Sequence, residues 1–328
     1  MYPKTLEKEL RKSFSKTGIA LMVYYGIMNA AVLVVLIVDI IIRIILLLQS
    51  SMTSAILTQT IMETTEEAIL SNGWGYILAN VIGFVALLLW KKKDFCFREI
   101  WVSDKGMKPG SFFALLAMLI SAQAVFQIGV GILEWIFNQM GLSVLDSLDG
   151  VTMLSGSFSM FLYAGIIAPI GEEILFRGLI LRSLQPYGKK FAILTSAFLF
   201  GIFHGNFLQT PYALLVGLLL GYVTVEYSIG WAMVLHMFNN LVLADMISRM
   251  SSYFPPFVEE LAMLLIIWGS AVAAVIILVV KRKDVMQYFK GPKIHPLCMK
   301  CFITSPGILI FTGLMAASIL FGLLMSLA

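Results

Sequence analysis

Three short stretches of this chain hold side chains that an apolar segment has no packing reason to carry. The first reads Ala168-Pro169-Ile170-Gly171-Glu172-Glu173-Ile174-Leu175-Phe176-Arg177-Gly178. The second is Phe200-Gly201-Ile202-Phe203-His204, and the third is His236-Met237-Phe238-Asn239-Asn240. A carboxylate, two imidazoles and a carboxamide are the parts from which a protein builds a site that activates water. They could work as a general base with hydrogen-bond donors for a developing negative charge. They could equally serve as ligands of a metal ion with an open position.

Helical spacing sorts these groups. Glu173 and Arg177 are four residues apart, share one face and can pair. Glu172 lies about 100° round the helix from Glu173 and is left without that partner. His236 and Asn240 are also four apart, so they share a face, and Asn239 falls off it as interhelical polar glue. Pro169 removes one backbone hydrogen bond and predicts a kink just before the carboxylates. Three charges at mid-depth in a bilayer would cost about 7–10 kcal/mol if unpaired, so they need a protein-lined cavity. With about 1.5 Å of rise per residue, Glu172, His204, His236 and Asn240 can occupy one layer of the bilayer.

The elements that must position them are transmembrane helices. Of 328 residues, 59% are hydrophobic and 13% charged, and the mean hydropathy is +0.92. Soluble domains are about 45–50% apolar and about 25% charged, so this composition excludes a soluble enzyme, a disordered chain and a nucleic-acid module. Three cysteines exclude a disulfide framework. Runs of about 20 apolar residues predict an all-α, polytopic bundle of about nine helices: 18–48, 73–90, 112–137, 157–184, 190–206, 211–227, 229–247, 257–280 and 305–327. Residues 1–16, with Lys4, Lys8, Arg11, Lys12 and Lys16, read as an amphipathic segment on the lipid surface. Basic connections (Lys91, Lys92, Lys93, Arg98, Lys105 and Lys108; Arg182, Lys189 and Lys190; Lys281, Arg282, Lys283, Lys290, Lys293 and Lys300) alternate with non-basic ones. The latter hold Glu63, Glu66 and Glu67, or Asp146 and Asp149. That alternation predicts a cytoplasmic N-terminus. The chain reads as one membrane domain, with core helices at 155–250, a basic cytoplasmic connection at 281–304 and a last span at 305–327.

The ordered set Glu172-Glu173-x-x-x-Arg177, Phe200-x-x-x-His204 and His236-x-x-x-Asn240 resembles the CAAX protease and bacteriocin-processing family, also called Abi. Its eukaryotic member is the type II CAAX prenyl endopeptidase. The resemblance covers about residues 155–250, including Gly217, Gly221 and the Ser228-Ile229-Gly230-Trp231 turn. It implies an intramembrane endopeptidase in which Glu172 activates water with help from His204, and His236 and Asn240 hold the oxyanion. Glu173 and Arg177 would be a structural pair fixing the helix that presents Glu172. The family has been described both as metalloprotease and as metal-free glutamate protease. Glu172, His204 and His236 suit zinc by type, whereas Asn240 suits an oxyanion donor better than a ligand. Implied partners are a membrane-associated peptide or protein substrate and the bilayer, with no nucleic acid, and the expected location is a prokaryotic cell membrane.

Rival readings are a proton- or ion-coupled transporter, since intramembrane Glu and His also mark ion pathways, and a non-catalytic bacteriocin-immunity or scaffold member. Against the transporter, the polar groups are concentrated in one stretch. Asp39 and Arg43, four apart, read as a buried structural pair. Gln123 and Gln127 read as packing contacts. Glu134, Glu226 and Asp245 lie near helix ends and carry no assigned role. Cys298-x-x-Cys301 after His295 is a weak metal or redox signal, and Cys96 reads as an interface residue.

Overall fold

The computed structural model describes residues 3–49, 56, 59–63, 72–103, 105–145, 157–241 and 255–327. Glu66, Glu67, Asp146, Asp149 and Asp245 lie outside the described residues, as do the side chains of Lys91, Lys92, Lys93 and Cys96. Every regular element among the described residues is a helix. In chain order they are α1 (Lys4–Leu48), α2 (Gly73–Phe97), α3 (Pro109–Asn138), α4 (residues 158–184), α5 (Lys189–Phe203), α6 (Gln209–Glu226) and α7 (Ile229–Phe238). Then follow α8 (Pro256–Val280), α9 (Arg282–Lys290), α10 (Pro296–Ile303) and α11 (Pro306–Ser326). Helices start where the local chemistry allows. Proline occupies the first turn of α3, α8, α10 and α11, where its missing N–H costs nothing. Ser157 and Ser228 cap α4 and α7 by accepting from Met160 N and Trp231 N.

Among the described residues, five helices are long and apolar enough to cross a membrane: α1, α2, α3, α8 and α11. Their large apolar side chains stand exposed, among them Val34, Leu89, Trp135, Val272 and Phe321. Lipid accepts such a surface and water does not. The expected spans from 190 to 247 take another form. Helices α5, α6 and α7 have 15, 18 and 10 residues, and residues 242–247 of the last expected span lie outside the described ones. At about 1.5 Å per residue, α5 and α7 are shorter than the ~30 Å hydrocarbon layer.

The core of the molecule lies where α4, α5, α6 and α7 meet, with Leu175, Phe176, Leu181, Phe191, Phe200, Leu220 and Leu235 almost fully enclosed. Helices α5 and α6 come so close that a Cβ on Gly217 would stand 3.1 Å from the Ala197 Cα. Without water to drive them together, helices in a membrane gain most from such backbone approach.

The basic residues from Lys4 to Lys16 belong to α1, which runs unbroken from Lys4 to Leu48. Its buried side places Phe14 against Tyr187, Phe191 and Phe302, with ring centroids 5.0, 5.5 and 5.9 Å away. The Asp39–Arg43 pair forms at 3.0 Å but is not buried, its side chains being 26% and 31% exposed. An unbroken helix carries this turn out to the molecule's flank, beyond the inner helices.

The basic connections gather at one end of the bundle. Arg182 donates to Val102 O and Gln185 Oε1, and Glu226 lies 3.3 Å from Lys105 and 3.6 Å from Lys189. Lys190 donates to Phe289 O and Gly291 O, holding the end of α9. The residues between 281 and 304 hold two short helices, α9 and α10. Cys298 and Cys301 are buried free thiols on α10. His295 caps that helix by accepting from Leu297 N at 3.2 Å, and burial with Cys301 nearby pushes the Cys298 thiol above its usual range. Burial of this kind disfavours the Cys298 thiolate, the form that ligates and attacks.

Candidate active site

Helix α4 is wound unevenly, and that irregularity shapes the site. A π-helical turn at Tyr163–Ile167 precedes Ala168–Glu173, and a second π stretch covers Ile174–Leu181. In the first, the Ala168 N–H reaches back five residues to Tyr163 O. In that register the Ala164 carbonyl would be served by residue 169, which is proline and has no N–H. Asn240 fills the gap, donating from Nδ2 to Ala164 O at 2.9 Å. The expected kink at Pro169 is therefore a π-turn with one carbonyl released sideways, and the residue that takes it is one of the four candidates.

Glu173 and Arg177 are both fully buried, and Arg177 Nη1 stands 3.0 Å from Glu173 Oε1. Arg177 also donates to Gly217 O at 3.4 Å, and its guanidinium lies 4.3 Å over the Phe200 ring. The same Glu173 oxygen is 2.9 Å from His236 Nδ1. Glu173 therefore orients an imidazole as well as its own helix. With Nδ1 held against a carboxylate, His236 turns Nε2 toward Glu172, whose Oε2 is 3.7 Å away. Glu172 keeps about a quarter of its side chain exposed and is not drawn into the Arg177 pair.

His204 sits at the C-terminal cap of α5, where Gly205, with φ of 65°, reverses the chain. Its Nδ1 donates to Phe200 O at 2.9 Å, which leaves Nε2 as the acceptor. The Phe200 ring meets both imidazoles edge-on, at 4.8 Å from His204 and 5.8 Å from His236. Glu172 and His236 both stand close enough to His204 to act on it electrostatically.

Asn239 and Asn240 begin a turn of π-helix at the end of α7. Asn239 donates to Asn240 Oδ1 at 3.1 Å and accepts from the Tyr212 hydroxyl at 2.7 Å. Gln123 Nε2 in turn donates to Tyr212 at 2.7 Å. This relay ties α3, α6 and α7 together behind Asn240, which retains one amide hydrogen beyond the one given to Ala164.

Sequence reasoning left α1 and α2 outside the site and missed Tyr24 and Asn80 there, and Tyr163 on α4. Tyr24, Asn80 and Tyr163 all stand near Glu172 or the adjoining Gly171. The Glu172 charge reaches Tyr24 and Tyr163, and Asn80 hydrogen-bonds Tyr163. Asn80 Oδ1 occupies the space that a Cβ on Gly171 would need, and Tyr163 stacks on Tyr76 at 4.9 Å. The available signal was Asn80, a carboxamide in an otherwise apolar run.

A metal would need convergent ligands. Both imidazoles engage Nδ1 with protein acceptors, an orientation that metal-ligating histidines also take, while no group of three His, Cys, Asp or Glu among the described residues is already gathered at metal-binding distance. Glu172, His204 and His236 are the residues that would hold a zinc ion by type, with both Nε2 atoms left open for it.

Residues 154–242 match the family model described as type II CAAX prenyl endopeptidase Rce1-like. No curated protein and no solved structure matches the chain significantly.

Proposed function

We propose that this chain, whose residues 154–242 match the Rce1-like type II CAAX prenyl endopeptidase model, hydrolyses peptide bonds of membrane-associated peptides or proteins with water activated by Glu172. At the coarse level, the family implies a protease, and the apolar helices make it an integral membrane protein. The finer reading rests on one observation. Glu172 Oε2 faces His236 Nε2 across 3.7 Å, while the neighbouring carboxylate is already committed to Arg177 and His236.

In this mechanism a water lies beside Glu172, held by the Nε2 lone pair of His204. Glu172 takes its proton as the oxygen attacks the carbonyl carbon. The carbonyl oxygen becomes an oxyanion and accepts the Asn240 amide hydrogen that Ala164 does not use. His236, aimed by Glu173, stands at the same gap as a second donor when Nε2 carries a proton. Glu172 then passes the proton to the departing amine, and the C–N bond breaks. Fixing His236 and Asn240 before substrate arrives is what makes such donors effective, since no reorganisation remains.

Peptide cleavage by the reconstituted protein tests this, with elemental analysis of the same sample. Glu172→Gln preserves the shape and removes the base, and the expected loss in kcat is about 10²–10⁴-fold. Equal cleavage by variant and parent would overturn the assignment.

A further inference from the structure

One cavity lies away from Glu172 and Glu173. It has a volume of about 710 Å³ and lies along the first turns of α1, bounded by Pro306 at the start of α11. Its wall contains Lys4, Lys8, Arg11, Lys12 and Lys16, together with Ser15 and Ile19. Positions 4, 8, 11, 12, 15, 16 and 19 recur at three- and four-residue spacing and so share one side of the helix. The opposite side carries Leu10, Phe14 and Leu21, all buried in the protein. Five cations therefore project into one concave space. The acid in that wall, Glu7, lies 3.2 Å from Lys300, so the remaining charge is strongly positive.

The level of this cavity in the membrane can be read from its neighbours. Directly below Ser15 the same ridge turns apolar, and Ile19 and Val23 are 48% and 55% exposed. Trp90, with Lys16, Ser13 and Thr17, lines a smaller cavity of about 110 Å³ beside it. Tryptophan and lysine are side chains that settle at the boundary between headgroups and hydrocarbon. A cationic bowl at that boundary, opening onto a greasy ridge, has the two-part chemistry of a phospholipid.

We propose that this cavity seats the phosphate-bearing headgroup of an anionic phospholipid, whose acyl chain lies along Ile19 and Val23. Basic pockets beside membrane helices hold anionic headgroups by charge, and the seat makes α1 a collar that fastens the bundle to anionic lipid. The inference rests on the membrane placement and not on peptidase activity.

The test uses the full chain in nanodiscs of mixed phosphatidylglycerol and phosphatidylcholine, with native mass spectrometry of the retained lipid. The parent retains phosphatidylglycerol in preference. Lys8→Gln/Arg11→Gln/Lys12→Gln loses that preference by about fivefold per cation removed. Should the triple variant not fold, Lys12→Gln at its exposed position carries the same test with about a fivefold loss. Lys281→Gln/Lys283→Gln, in another basic stretch, leaves the preference intact. Inorganic phosphate, offered in pure phosphatidylcholine discs, distinguishes a soluble anion from a lipid. Any of four results overturns the proposal: no preference in the parent, an unchanged preference without the cavity cations, an equal loss in the Lys281/Lys283 variant, or full occupancy by inorganic phosphate.

Discussion

Two acid–arginine pairs in this molecule are indistinguishable by spacing and distance. Asp39–Arg43 and Glu173–Arg177 are each four residues apart in apolar helices, and each closes at 3.0 Å. The first lies on the flank of α1 with its side chains 26% and 31% exposed, and the second is fully enclosed. Enclosure changes what the pair is for. Arg177 also meets Gly217 O and the Phe200 ring, and Glu173 reaches His236. Inside the bundle a charge must find every partner from protein, so a pair there becomes the hub of a network. On the flank the same pair needs only itself and whatever surrounds the helix.

Isosteric charge removal breaks this contrast most directly. Glu173→Gln strands a buried guanidinium and should cost about 3–5 kcal/mol in unfolding measured in detergent. Asp39→Asn, on the exposed pair, should cost about 1 kcal/mol or less. Folded Glu173→Gln should also lose cleavage by about 100-fold, since His236 loses the group that aims it, while Asp39→Asn retains activity within about twofold. If both variants lose stability equally, burial is not the deciding variable.

Phe200→Leu tests the hub from its aromatic side. It removes the ring beneath Arg177 and between the two imidazoles, and about 1–2 kcal/mol of stability should go with it. The smallest effect belongs to the relay behind Asn240. Tyr212→Phe removes the hydroxyl joining Gln123 to Asn239 and should cost about 1 kcal/mol in the same unfolding assay. A larger loss of kcat than of stability would show that the relay positions Asn240 rather than merely packing α3 against α6.

Much of the inner region was legible along the chain. Glu173 with Arg177, and Asn239 as glue, followed from periodicity alone, because helix geometry fixes which neighbours meet within one element. The contact from Glu173 to His236 was not legible, since it joins residues 63 positions apart on different helices. Nor was the wall of Tyr24 and Asn80, from helices that hydropathy marks only as apolar. Asn240 gave a mixed outcome. A regular helix places it on the His236 face, but the π-turn at 239 changes the register, and its partner Ala164 exists as a free acceptor only because Pro169 lacks an N–H.

Composition alone determined that the chain lives in a membrane, because apolar surface on this scale has no other stable solvent. Local spacing determined which polar groups could pair along a helix, because 3.6 residues per turn is a property of the backbone. Tertiary structure decided which of two equal ion pairs is enclosed, where each imidazole points and what surrounds Glu172. Those outcomes depend on how helices cross, which is set by contacts between distant residues that no single segment encodes.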